Sequence, residues 1–159
     1  MNNKNNNKHV PAKRVQMVSL RLVKEDSTLY AGRKITSPED VIRLINDFKQ
    51  DFELLDRECF YAIHCNVKLE PTVVEEVSRG LTASTLVSSK EVMRTALLSQ
   101  SSNVFYLHNH PSGSAVPSLQ DHKVYQSLKE SGEYFNINTV DFLIVGDGEY
   151  YSFKEEDEL

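Results

Sequence analysis

The chain has 159 residues, of which 40% are hydrophobic and 26% charged, and its formal net charge is −5 at pH 7. This length and composition are typical of one soluble globular domain and argue against a disordered or membrane-embedded chain, since no apolar run approaches the roughly 20 residues that a membrane-spanning helix needs. The acidic balance disfavours a surface that binds nucleic acid throughout, because neutralising phosphates requires Lys and Arg.

The N-terminal segment, residues 1–14, holds five Asn and several basic side chains but almost nothing to bury. Such a segment cannot offset the entropy cost of being ordered, so we expect a flexible basic tail. Residues 1–9 offer Asn and Lys where a secretory signal needs an apolar stretch, and we therefore expect a cytoplasmic protein.

Residues 15–37 are expected to form an extension ahead of the main domain. Within them, Val18, Leu20 and Leu22 alternate with polar side chains. This period of two predicts a strand over residues 15–24.

The main domain is predicted to begin with a helix at residue 38. Ser37 can cap this helix, Pro38 suits its first position, and two acidic residues follow at the positive end of the helix dipole. Apolar residues at helical spacing extend the predicted helix to about residue 50. A shorter helical stretch is predicted over residues 52–58.

Two strands are predicted next, over residues 59–65 and 72–77, because both segments are rich in β-forming residues. Asn66 and Pro71 lie in their connection and favour a turn between antiparallel strands. The two cysteines stand at the ends of the first strand, too far apart for a disulfide, and are interpreted as small buried apolar residues.

The second half of the chain alternates helices and strands. A helix is predicted to begin at Ser88 or Ser89, and the apolar run of residues 104–107 predicts a buried central strand. The S-x-x-D pattern of residues 118–121 resembles a cap for a further helix that ends at Gly132.

A hairpin is predicted near the C-terminus, where the Gly-Asp-Gly of residues 146–148 separates strands over 139–145 and 149–153. Residues 155–159 read as an acidic tail, which leaves residues 38–154 as the main domain. The interleaved elements predict an α/β or α+β fold, a mixed sheet with flanking helices.

Three side chains after the predicted central strand form a candidate metal site. His108 and His110 are two residues apart and project from the same face of the strand, and Asp121 lies on the opening turn of the next helix. Two imidazoles and one carboxylate suit a tetrahedral zinc ion with one position open to water, which zinc acidifies toward about pH 7. Taken one at a time, these residues also have purely structural interpretations. Histidine pairs often cap loops, and Ser118 with Asp121 could be no more than a helix cap.

The motifs HNHPSG at residues 108–113 and PSLQD at residues 117–121 resemble the H-x-H-P and S-x-x-D signature of the JAB/MPN metalloprotease family. The HNHPSG sequence is similar to that of the family's RadC branch. The resemblance covers roughly residues 38–153. It implies a JAB-type, cytidine-deaminase-like sandwich of a central mixed sheet between helices, with one zinc ion held by the residues matching His108, His110 and Asp121.

The resemblance also assigns roles beside the metal. The family serine, here Ser118, would hydrogen-bond the water or the oxyanion while capping the helix. The acid/base glutamate precedes the first strand of the domain, a position that Glu58 matches, with Glu76 as the reserve candidate. No spacing rule selects among the other acidic residues of this region, which are Glu53, Glu75 and Glu91.

Two departures from the RadC pattern limit what the resemblance implies. Full-length relatives bear an N-terminal helix-hairpin-helix region of the kind associated with DNA, whereas a short tail, one predicted strand and one predicted helix precede this domain. The Asp-His pair common near the last strands appears here as Asp141-Phe142.

The resulting expectation is a zinc-dependent peptidase or isopeptidase that acts on a peptide or protein substrate. An alternative is a nucleic-acid-associated accessory protein in which the JAB domain is a binding module, a partner class that the net charge disfavours. A single-zinc nuclease ranks last, because nucleases commonly use two metals. The sequence identifies neither the substrate nor the oligomeric state.

Overall fold

The computed structural model describes residues 15–49, 52, 55–80 and 87–157. Three helices and five strands are formed in this part of the chain. In chain order they are α1 (Pro38–Phe48), β1 (Glu58–Cys65), β2 (Pro71–Gly80), α2 (Ser89–Leu98), β3 (Asn103–Asn109), α3 (Leu119–Tyr134), β4 (Asn138–Val145) and β5 (Tyr150–Ser152).

The five strands form one mixed sheet in the order β2-β1-β3-β4-β5. β1 is antiparallel to both β2 and β3, β3 runs parallel to β4, and β5 returns antiparallel to β4. The parallel pair requires a crossover connection, which α3 supplies. β3 is therefore the central strand, as the apolar run of residues 104–107 predicted.

Helices cover both faces of the sheet. On one face, Val41, Leu44 and Ile45 of α1 pack against the odd-numbered residues of β1 and β3. On the other face, α2 and α3 pack against the even-numbered residues, in a cluster that contains Ala96 and Leu128. Since side chains alternate along a strand, one sheet can supply both cores. The predicted sandwich of a mixed sheet between helices is thus confirmed.

Most of the predicted elements are present with shifted ends. The antiparallel pair β1 and β2, the helix at Ser89 and the hairpin between β4 and β5 are confirmed, and both cysteines are buried and free. α3 continues to Tyr134 instead of ending at Gly132. Gly132 is needed inside the helix for another reason, since a Cβ there would lie 2.5 Å from the carbonyl oxygen of Ile137.

The predicted strand over residues 15–24 is wrong. Residues 15–30 form neither helix nor strand, and the side chains of 15–24 are exposed. Alternation of apolar residues describes one face of a strand, but a strand also needs a neighbour to satisfy its backbone hydrogen bonds.

The helical prediction for residues 52–58 holds for a single 3₁₀ turn at Phe52 and is wrong for residues 55–58. One turn closes where the Leu55 N–H donates to the Phe52 carbonyl, at 3.4 Å, but residues 55–57 are not helical and Glu58 already belongs to β1. Residues 53 and 54 lie outside the described residues.

No helix in the described ranges has the length and apolar character of a membrane span. The tail boundaries predicted at residues 14 and 155 remain predictions, since residues 1–14, 158 and 159 lie outside the described part.

Candidate metal centre

The three predicted ligands meet at one end of the central strand. His108 is the penultimate residue of β3, His110 follows the strand, and Asp121 lies in the first turn of α3. The possible ligand atoms of the three side chains all lie within 4.8 Å of one another. The Nε2 atom of His108 is 3.8 Å from Asp121 Oδ1, and that of His110 is 3.5 Å from Asp121 Oδ2.

Each histidine is oriented by a backbone carbonyl. The Nδ1 atom of His108 lies 3.1 Å from the carbonyl oxygen of Cys59, and the Nδ1 atom of His110 lies 2.8 Å from that of Ser114. Because a carbonyl oxygen only accepts, both Nδ1 atoms donate, and both Nε2 atoms face Asp121. This arrangement is typical of histidine ligands, whose second nitrogen is fixed by an outer partner.

The electrostatics of His108 and Asp121 suit a bound cation. Burial lowers the pKa of His108 and so favours the neutral imidazole that binds metals. The hydrogen bond to Asp121 raises the pKa of His110. Burial alone would raise the pKa of Asp121, but hydrogen bonds from His110 and Ser118 outweigh it and hold the value at about 2. A buried carboxylate beside two imidazole nitrogens therefore forms a group that could hold a metal ion.

Ser118 is the N-cap of α3. Its hydroxyl and its N–H both donate to Asp121 Oδ2, at 2.6 and 2.7 Å, and the Asp121 N–H donates to Ser118 Oγ at 3.2 Å. The predicted cap is thus confirmed as a reciprocal capping box. The hydroxyl proton is engaged with the carboxylate, and the oxyanion role of Ser118 stays a prediction.

Glu58 opens β1 and lines a small cavity together with His108 and Asp121. Burial raises the pKa of its carboxyl group, the nearby His110 lowers it and Asp121 raises it. The structure therefore places Glu58 beside the three candidate ligands. Its role as the proton carrier stays a prediction.

The other glutamates have different partners. Glu76 forms a bidentate pair with Arg79 and accepts a 2.6 Å hydrogen bond from Tyr61, which belongs to the core on the α1 side of the sheet. Glu75 accepts from Thr95 and contacts His64. Glu53 lies outside the described residues. Among these candidates, Glu58 is the one placed at the histidines.

Sequence reasoning missed two residues near the site. Asn109 lies between the two histidines and is fully buried. The sequence feature that could have revealed it is a polar amide at the end of a strand of apolar residues. Gly146 was read only as a turn residue. A Cβ on Gly146 would lie 2.2 Å from the carbonyl oxygen of Gly113. The absence of a side chain at this position therefore lets the loop that follows His110 pack closely against residue 146.

Phe142 occupies the position where the RadC pattern commonly has histidine. It is fully buried and stacks on Phe153, with ring centroids 5.0 Å apart. The neighbouring Asp141 accepts hydrogen bonds from the Ser152 hydroxyl and the Lys154 N–H. Phenylalanine in place of histidine at this position therefore extends the apolar core on the α2 and α3 side and leaves the candidate ligands unchanged.

The mixed sheet between helices, with a histidine pair at the end of its central strand and an aspartate on the next helix, defines a domain of the JAB/MPN type. Residues 35–159 match the RadC-like JAB domain, and the chain belongs to that family.

Its relatives include UPF0758 proteins of bacteria and archaea. The protein from Caldanaerobacter subterraneus is 36% identical over 130 residues, which are 82% of this chain and 54% of that protein. The protein from Clostridioides difficile is 38% identical over 122 residues, 77% of this chain and 51% of the relative. The protein from Methanosarcina mazei is 36% identical over 124 residues, 78% and 53% of the two chains. This chain thus spans about half the length of these relatives.

Proposed function

We propose that this chain is a zinc-dependent hydrolase that cleaves peptide or isopeptide bonds. The observation that carries the proposal is the convergence of two imidazole nitrogens and one carboxylate within 4.8 Å, a donor set typical of catalytic zinc. When bound, zinc would supply a Lewis acid that polarises a carbonyl group and lowers the pKa of water.

Glu58 is the proposed proton carrier. A carboxyl group whose pKa is raised by burial is suited to take a proton from the attacking water and to return it to the leaving amine. Its place in the cavity wall beside His108 and Asp121 supports this role.

Ser118 is proposed to act in two ways. Its N–H and hydroxyl hold the carboxylate of Asp121 in the free protein. With substrate bound, the N–H would keep its bond to Asp121, and the hydroxyl would turn its one proton to the substrate oxygen and stabilise the negative charge there. The substrate is proposed to be a peptide or protein, and the cytoplasmic location expected from the sequence stays a prediction.

The test compares zinc-loaded protein with a Glu58→Gln variant on quenched fluorescent peptides and on lysine-linked isopeptides. We expect zinc-dependent hydrolysis by the unaltered chain and a loss of about 10²–10⁴-fold in kcat for the variant, with its zinc content unchanged. Absence of hydrolysis across both substrate classes would contradict the hydrolase function, whereas full activity of Glu58→Gln would contradict only the role of Glu58.

A second candidate function is that of a nucleic-acid-associated accessory protein. The basic side chains of residues 1–14 and membership of the RadC-like family favour it, and the net charge of −5 opposes it. DNA binding that weakens with salt and disappears when residues 1–14 are deleted would support this function. A lack of binding at low salt would eliminate it.

A further inference from the structure

Asn109 is a buried polar residue placed between the two candidate histidine ligands. Its side chain is fully buried, and alternation along β3 directs it away from the face that carries His108 and His110. A buried amide is costly unless its polar atoms are hydrogen-bonded. The partners of Asn109 therefore indicate what the residue does.

Both polar atoms of the Asn109 side chain bind the backbone around Glu58. Oδ1 accepts from the Cys59 N–H at 2.7 Å, and Nδ2 donates to the Arg57 carbonyl at 3.0 Å. These two groups belong to the residues directly before and after Glu58. The amide thus closes a clamp across the first residue of β1.

The clamp begins where the backbone ladder ends. The outermost backbone pair of β1 and β3 on this side is Phe60 with His108, and beyond it the Asn109 side chain continues the connection between the strands. The Cys59 carbonyl is bound as well, by Nδ1 of His108 at 3.1 Å. Cys59 is therefore tied through its N–H to Asn109 and through its carbonyl to a candidate ligand.

We propose that Asn109 is a positioning residue that holds Glu58 in a fixed place relative to the histidines. This inference rests on the proposed function in so far as Glu58 is the proton carrier. The amide provides, on two separate atoms, an acceptor for the Cys59 N–H and a donor for the Arg57 carbonyl. Aspartate keeps the acceptor and loses the donor, and leucine keeps the approximate volume and loses both.

The first test is a double-mutant cycle between Asn109 and Glu58 in the zinc-loaded protein. Since a displacement of about 1 Å can cost about 10²-fold in rate, Asn109→Leu should lower kcat by about that factor with KM and zinc content unchanged. In a Glu58→Gln background, Asn109→Leu should cause little further loss, because the residue acts through Glu58. An equal loss in both backgrounds would overturn the proposal.

Asn103→Leu provides a matched control at the opposite end of the same strand. The Asn103 amide donates to the Asn66 carbonyl at 2.8 Å and accepts from Asn138 at 3.3 Å, so this variant also loses two side-chain amide hydrogen bonds of β3, in a half-buried position. We expect it to lower stability while kcat stays unchanged. A drop in kcat equal to that of Asn109→Leu would show a general effect of weakening β3 and overturn the proposal.

The second test needs no activity. In metal-free protein, amide hydrogen exchange should accelerate at Cys59 by about tenfold in Asn109→Leu and remain slow in Asn109→Asp, which keeps the acceptor. Unchanged exchange at Cys59 in Asn109→Leu would overturn the clamp. Accelerated exchange would support the clamp even if the zinc-loaded protein hydrolyses nothing, a result that contradicts the proposed function alone. If Asn109→Leu does not fold, the same cycle is measured with Asn109→Asp.

Discussion

The hydroxyl of Ser118 donates a 2.6 Å hydrogen bond to the carboxylate of Asp121, and the Asp121 N–H donates to the same hydroxyl oxygen at 3.2 Å. The carboxylate that faces the two histidines is therefore also part of the cap of α3. Because one hydrogen-bonded unit begins the helix and orients the carboxylate, the stability of the helix and the affinity for metal should change together.

Replacing Ser118 by alanine tests this coupling. We expect Ser118→Ala to lower the free energy of unfolding by about 1 kcal/mol through loss of the cap, and to weaken zinc binding by about 10–100-fold because the outer partner of a ligand is lost. Chemical denaturation and zinc titration measure the two effects. Ser88→Ala is the matched control, since Ser88 caps α2 without a side-chain hydrogen bond. Equal zinc affinity in Ser118→Ala and the unaltered protein would contradict the coupling.

Zinc should stabilise the protein through the three candidate ligands. A ligand that binds only the folded state stabilises it by about 2.7 kcal/mol at a concentration 100 times its Kd, so the Tm should rise on adding zinc and fall again with a chelator. This shift should disappear in His108→Ala and in Asp121→Ala. His122→Ala, a change at the half-buried neighbour of Asp121, should retain it. A full zinc shift in both ligand variants would refute the ligand assignment.

The histidine pair was predictable from the sequence because its geometry is local. His108 and His110 share a face through the period of two of a strand, and Asp121 follows within one loop and one helix turn. The capping box is local for the same reason, since Ser118 and Asp121 are three residues apart.

The environment of Glu58 was not predictable from residue pattern alone, because it is created by contacts distant in the sequence. The hydrogen bonds of Asn109 with Arg57 and Cys59 join residues 52 and 50 positions apart. No local spacing rule encodes such contacts, and the family resemblance supplied the assignment of Glu58. The strand wrongly predicted over residues 15–24 failed for a related reason, since alternation records one apolar face but not the presence of a pairing strand.

Gly146 should be required for metal binding because it supports the loop that follows His110. A Cβ at this position would lie 2.2 Å from the Gly113 carbonyl and 2.8 Å from the Ala115 N, so Gly146→Ala must displace the loop that follows His110. We expect zinc affinity to fall more than tenfold, measured by titration. In Gly148→Ala, the added Cβ meets no atom within 4 Å, but φ is +72°. This control should cost about 1 kcal/mol of stability and leave zinc affinity unchanged; equal losses of affinity would contradict the loop mechanism.

Asp141, a buried carboxyl group in β4, predicts a pH dependence of stability. Its carboxylate is buried and accepts from the Ser152 hydroxyl at 2.7 Å and from the Lys154 N–H at 3.1 Å. Burial raises its pKa, and these hydrogen bonds only partly offset the rise. An acid whose pKa is higher in the folded state binds protons more tightly there, so its contribution to stability decreases as pH rises from the unfolded pKa through the folded one.

Asp141→Asn removes this titration and also one accepted hydrogen bond, because the amide nitrogen cannot accept. We expect the variant to be less stable by about 1 kcal/mol or more at low pH, and the advantage of the unaltered protein to shrink as the pH rises from about 4, the ordinary pKa of an Asp carboxyl group, through the raised pKa of the folded state. Urea unfolding of both metal-free proteins at a series of pH values measures this difference, in which the carboxyl groups common to both chains cancel. An advantage that grows with rising pH would show that the hydrogen bonds outweigh burial, and that the folded pKa of Asp141 is lowered instead of raised.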